Sequence, residues 1–110
     1  MKFYRKVFDM LEYDKHESEE KIVIKLFGEV DMFNAGEFKK IFSPNDSREI
    51  IVDCENLDYI DSTGLGALVS VLKKAKEFGG TVRIIGLKPQ IYKLFELTEL
   101  DSIFDIEVGK

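Results

Sequence analysis

The sequence predicts an α/β protein with a mixed, mainly parallel central sheet of four to five strands and helices packed on it. Three observations carry this. The run Ile50-Ile51-Val52 is β-branched throughout, as in a central strand covered on both faces. A short polar connection then ends in Asp61-Ser62, after which Leu65, Leu68, Val69 and Leu72 recur with helical spacing. Finally, the chain alternates strand-like and helix-like stretches three times in succession, which places successive strands parallel in one sheet.

Taking the elements in order, residues 3–13 mix aromatic and charged side chains without a single period and are read as an edge strand. The charged stretch at residues 14–20 reads as a loop, and its lone histidine, His16, has no second ligand or base partner there and is expected at the surface. Ile22, Ile24 and Leu26 alternate, which predicts a strand joined to the first as an antiparallel hairpin. Gly28-Glu29-Val30-Asp31 closes it. Asn34 and Glu37 have the spacing of a capping box, and Phe38, Ile41 and Phe42 give the short helix that follows an apolar stripe. Ser43-Pro44-Asn45-Asp46-Ser47 is a breaker and turn. After the central strand, the long helix runs from Ser62 to about Phe78 and stops at Gly79-Gly80. A strand at residues 81–85 leads to Pro89, a natural first helical residue, with Ile91, Leu94 and Phe95 behind it and a last short strand within residues 103–108.

Composition narrows the function. A chain of 110 residues with 45% hydrophobic content suits one domain, residues 1–110, with one core. The net charge of −5 disfavours nucleic acid and anionic lipid, both of which need a basic face. No stretch approaches the roughly eighteen consecutive apolar residues of a membrane span, no signal-type run follows Met1, and a cytoplasmic location is expected. The single cysteine, Cys54, fits a reducing compartment and is read as packing at a strand end.

The stretch from Asp61 to Gly66 has a chemistry of its own. Asp61 and Ser62 are both N-cap residue types, so Ser62 is placed at a helix N-terminus, where unpaired N–H groups and the helix dipole favour an anion. That anion could be a bound phosphate or one carried on the serine. Gly64 and Gly66, each costing about 1 kcal/mol relative to alanine inside a helix, suggest that another backbone or molecule comes close. The residues alone leave open the simpler reading, a helix cap with glycines easing a tight turn. Asp31 lies just past a strand end, so it can meet Ser62 on the carboxyl rim of the sheet, or it can be a carboxylate holding its own turn.

Enzyme chemistry finds little support. Ser62 lacks the Gly-x-Ser-x-Gly elbow and a histidine partner, and one Cys with one His cannot form a zinc site. No acidic cluster has calcium-loop spacing, and neither nucleotide-binding glycine motif is present, so no metal or cofactor is expected.

Taken together, Gly28-Glu29-Val30-Asp31 with Asn34-Ala35 and Phe38, Ile51-Val52-Asp53 through Asp61-Ser62-Thr63-Gly64-Leu65-Gly66, Gly79-Gly80, and Pro89 with Leu94-Phe95 and Leu100 resemble the STAS domain of anti-sigma-factor antagonists. The resemblance runs in order over roughly residues 20–106, which is far more specific than any single hexapeptide. It implies the STAS fold and a non-enzymatic switch. The unmodified antagonist binds an anti-sigma factor that is also a serine kinase and so frees the sigma factor; phosphorylation of the serine after the motif aspartate, here Ser62, ends binding. A PP2C-type phosphatase resets it. Alternatives within the resemblance are a nucleotide- or anion-sensing module and a scaffold subunit of a signalling assembly, although a monomer is expected for the free protein.

Helical geometry extends this to a partner surface. At about 100° per residue, Leu65, Leu68, Val69, Leu72 and Ala75 share one side and are expected to face the sheet. Thr63, Ala67, Ser70 and Lys74, flanked by Gly66, then face outward, and the first two turns of this side are small for exposed positions. With Asp31, Asp61 and Gly64 they form the expected partner-binding set.

Overall fold

The computed structural model describes residues 2–8, 10–42 and 47–109, with side chains described over residues 10–42 and 47–109. Among the described residues, six strands, β1 (Lys2–Phe8), β2 (Leu11–Glu17), β3 (Lys21–Val30), β4 (Glu49–Ile60), β5 (Thr81–Leu87) and β6 (Asp105–Val108), form one sheet in chain order. The helices α1 (Ala35–Ile41), α2 (Ser62–Glu77) and α3 (Pro89–Leu97), and a 3-10 turn at Leu100–Ser102, connect the later strands. The pairs β1–β2 and β2–β3 are antiparallel, and β3–β4, β4–β5 and β5–β6 are parallel. The sheet is mixed and mainly parallel as predicted, with one strand beyond the expected four to five.

The additional strand comes from the N-terminal segment, which is a hairpin and not one edge strand. Phe8 pairs with Leu11 across a tight turn in which Met10 takes a left-handed φ of 69°. The chain reverses between Phe8 and Leu11, so residues 3–13 span two strands and not one, which is why they fit no single period. Residues 14–17, expected in a loop, are also strand. Their charges are used in tertiary contacts: Lys15 Nζ donates to Ile41 O at 2.7 Å and Arg48 pairs with Glu17 at 3.0 Å. His16 is half-buried on β2. The predicted breaker at residues 43–47 falls, except for Ser47, outside the described residues.

The central strand departs from expectation twice. First, β4 continues through the supposed polar connection to Ile60. Register shifts against β3 let Cys54, Leu57 and Ile60 turn inward at a spacing of three, which hides the strand from a period-two reading. Second, the sheet is covered on one face only. Ile22, Ile24, Ile50, Val52, Val82 and Ile84 are buried, whereas Val23, Ile51 and Asp53 on the other face are half-buried and Arg83 is exposed. The apolar residues at Val23 and Ile51 conceal that asymmetry in the sequence. The last strand begins at Asp105 because the 3-10 turn occupies Leu100–Ser102.

The covered face and the helices build one core, which includes Phe38 and Phe95 at 0% and 1% exposure. Edge-to-face ring pairs, Phe38 with Phe42 at 5.1 Å and Phe95 with Phe104 at 5.9 Å, tie α1 and α3 into it. Each helix starts at the carboxyl end of a strand, so the β3–α1, β4–α2 and β5–α3 connections lie along one rim.

Candidate functional site

The rim is built where β3 and β4 end side by side, with Val30 paired to Ile60. Asp61 follows in extended conformation, and its N–H donates to Val30 O at 3.2 Å. Its carboxylate makes two separate connections. Oδ1 accepts from Gly64 N at 2.8 Å, capping α2, and Oδ2 accepts from Met32 N at 3.0 Å, holding the β3–α1 connection against the start of that helix. One side chain therefore fixes the distance between two rim segments.

Gly64 explains how α2 comes so close. A Cβ there would lie 2.7 Å from both Val30 O and Ile60 Cγ1, so the glycine accommodates a neighbouring backbone of this same chain. Gly64 is buried and offers no surface to a partner. Gly66, by contrast, is exposed and has open space around it.

The β3–α1 connection is held from within. Asp31 Oδ1 accepts from Phe33 N at 2.9 Å and from Asn34 N at 3.2 Å, so Asp31 holds its own turn while lying one residue beyond the Val30–Asp61 hydrogen bond. Asn34 is wholly buried. Its Oδ1 accepts from Asp31 N at 2.9 Å and its Nδ2 donates to Glu29 O at 2.9 Å. The capping box is therefore not formed: Asn34 occupies the N-cap position of α1, but its side chain turns back into the loop and makes no cap hydrogen bond. Sequence reasoning missed this tie, because an asparagine before a helix has the same signature in both roles.

Ser62 is the first residue of α2. It is exposed, and its hydroxyl has no hydrogen-bond partner among the described residues. Thr63 beside it is also exposed. The first turn of α2 contains no acidic residue, and Leu65 N makes the first helical bond, to Asp61 O at 2.9 Å. Asp31, Asp61, Ser62 and Thr63 thus gather at one corner.

The expected outward face of α2 needs correction. Ala67 is buried at 5% exposure, as is Val71 at 6%, whereas Val69 is only half-buried. The buried arc is rotated toward α1. Ser70, Val71, Lys74 and Ala75 line a groove shared with Gly36, Lys39, Lys40 and Phe42 of the α1 region, and Ala67 lies one turn earlier on that flank. Ser70 is half-buried and Lys74 exposed, so of the outward set only Thr63, Gly66 and Lys74 are open to solvent. Ala67→Arg consequently tests packing. It is expected to lower unfolding stability by about 1–3 kcal/mol, read as a lower denaturant midpoint at unchanged m-value.

Cys54 lies in the core at 1% exposure, and burial, aided by the charge of Asp53, pushes its thiol well above the ordinary range. It stays protonated and unreactive. Lys88, just before α3, pairs with Asp58 on the same rim. No described helix is long and apolar enough to cross a membrane.

Fold and corner together define a two-layer α/β domain that presents a serine at a helix start on the carboxyl rim of its sheet. The chain belongs to the STAS-domain family, whose model matches residues 11–109. It is 34% identical over 89 residues to the anti-sigma-B factor antagonist of Staphylococcus aureus (strain NCTC 8325 / PS 47), covering 78% of this chain and 82% of that protein. It is 30% identical over 95 residues to the anti-sigma-B factor antagonist of Bacillus subtilis (strain 168), covering 84% and 87%. Among solved structures it resembles the Bacillus cell fate determinant SpoIIAA in its phosphorylated form, at 21% identity and a TM-score of 0.61, covering 97% of this chain and 92% of that one.

Proposed function

We propose that this chain is an anti-sigma-factor antagonist. In its unmodified form it binds an anti-sigma factor that is also a serine kinase and so releases the sigma factor; phosphorylation of Ser62 switches binding off, and a PP2C-type phosphatase restores it. The observation that carries the reading is an exposed Ser62 hydroxyl at the first position of α2, without a hydrogen-bond partner among the described residues, on a rim tied together by Asp61 and Asn34. The antagonist names of the two curated relatives support the same reading.

The physical logic of the switch follows from the corner. A phosphoserine adds about −1.5 to −2 charges at pH 7. The start of α2 tolerates this, since the N–H groups of Ser62 and Thr63 precede the first helical bond and the dipole is positive there. Asp61, already committed to Gly64 and Met32, opposes it by like charge. The two effects offset within the chain, so the fold survives modification and the change is felt by the protein packed over the corner. There the added charge must be desolvated, which costs several kcal/mol, or about a hundredfold or more in affinity.

Incubation with the cognate kinase and ATP, followed by phosphopeptide mapping, should place the phosphate on Ser62. Ser62→Ala should bind the kinase and remain unmodified, whereas the phosphorylated protein should bind at least a hundredfold more weakly by calorimetry. Modification of Thr63 or Ser70 instead would overturn the assignment.

A further inference from the structure

Met32 and Phe33 are adjacent, 65% and 74% exposed, and sit in the β3–α1 connection. Such positions are ordinarily polar, since turns favour residues whose side chains bond the local backbone. Here that bonding is supplied by others. Met32 N is held by Asp61, Phe33 N by Asp31, and the loop base by Asn34, so neither apolar side chain is needed to form the turn. The hydrogen-bonded loop therefore presents both side chains to solvent.

Their place on the molecule is specific. Met32 shares the Asp61 carboxylate with the first turn of α2, so the tip adjoins Ser62. Tyr59, 49% exposed at the end of β4, and Met10, 67% exposed at the β1–β2 turn, lie at the same end of the sheet; Met10 O accepts from Glu29 N at 3.0 Å. Methionine and aromatic side chains with charge kept to the rim are the composition of an interface centre. A tip already ordered before binding loses little further freedom, which raises the affinity obtained from a given buried area.

We propose that Met32 and Phe33 are a preorganised apolar anchor that inserts into an apolar pocket on the protein that docks over Ser62. This rests on the proposed function and goes beyond it by dividing the work: the anchor supplies affinity, and Ser62 decides whether the anchor can seat. The occupant is a folded protein surface with a pocket for two bulky apolar groups, placed beside the point where it meets the serine.

The test is calorimetric titration of the purified anti-sigma factor of the source organism with wild type, Met32→Ser/Phe33→Ser, and Leu97→Ser. Leu97 is 81% exposed at the far end of α3 and serves as a control of equal apolar character away from the rim. The double variant should bind about a hundredfold or more weakly, since two anchor residues are truncated. Its thermal midpoint should equal that of wild type, and Leu97→Ser should bind as wild type. Native affinity in a folded double variant overturns the anchor while leaving the proposed function standing. A wild type that does not bind overturns the proposed function, and the anchor falls with it. Sedimentation of each protein alone closes the remaining route: self-association of wild type that the double variant abolishes would assign the tip to a second copy of this chain and overturn the proposal.

Discussion

Replacing Gly64 by alanine is expected to destabilise the protein by about 3 kcal/mol, the upper end of the usual cost of overpacking. The reason is that the added methyl would meet Val30 O and Ile60 Cγ1, each at 2.7 Å, and Val30 O is backbone that cannot rotate aside. Relief requires α2 to move away from β3, which stretches the bonds from Asp61 to Gly64 and Met32. Gly66→Ala is the counterpart on the same turn. With nothing within 4 Å of its Cβ position, that change should stabilise by up to about 1 kcal/mol through helix propensity alone. Urea unfolding of the two variants beside wild type decides it: midpoints shifted in opposite directions are expected, and a Gly64→Ala midpoint equal to wild type would show that the close approach of α2 to β3 is not needed.

Asn34→Ala is expected to cost about 2–4 kcal/mol, because it leaves the N–H of Asp31 and the carbonyl of Glu29 without their present partners in a buried loop base. The side chain is wholly buried, so solvent is not at hand to replace it. Stability and function should part company in this variant. Even where it remains folded, the loop bearing Met32 and Phe33 loses its base, and hydrogen exchange at the amides of residues 31–34 should accelerate more than exchange in β5. Uniform acceleration throughout the molecule would show instead that Asn34 supports the whole fold and not this loop in particular.

How much of this was legible beforehand differs from one element to the next. The strand at Ile22–Leu26, the helix behind Ser62, its stop at Gly79-Gly80 and the helix opened by Pro89 all announce themselves through signals carried by near neighbours in the chain. The N-terminal hairpin did not, because its turn falls where a left-handed Met10 replaces the glycine or asparagine that usually marks it. The place of Ser62 at a helix start is legible because the Asp-Ser pair and the apolar spacing after it are local. The sequence marks Asp61 as a cap and a candidate partner contact but not as the tie to the β3–α1 connection, since its second bond reaches Met32, 29 residues away, and nothing in the chain around it records that partner. Ala67 was placed on the wrong side because alanine fits a solvent face and a tight helix contact equally well, so an apolar-stripe argument passes over it.

By itself, then, the sequence determined the class of fold, the order of its later elements and the strand-to-helix corner at Ser62, all of which depend on residue types within a few positions of one another. Only the tertiary structure decided that the sheet is covered on one face, that α2 turns Ala67 and Val71 inward beside α1, and that the β3–α1 loop is locked so that Met32 and Phe33 point outward beside the serine. The physical reason is common to all three. Burial and hydrogen-bond satisfaction are settled between segments far apart in the chain, and a side chain such as Ile51, Ala67 or Asn34 is compatible with either outcome until its neighbour arrives.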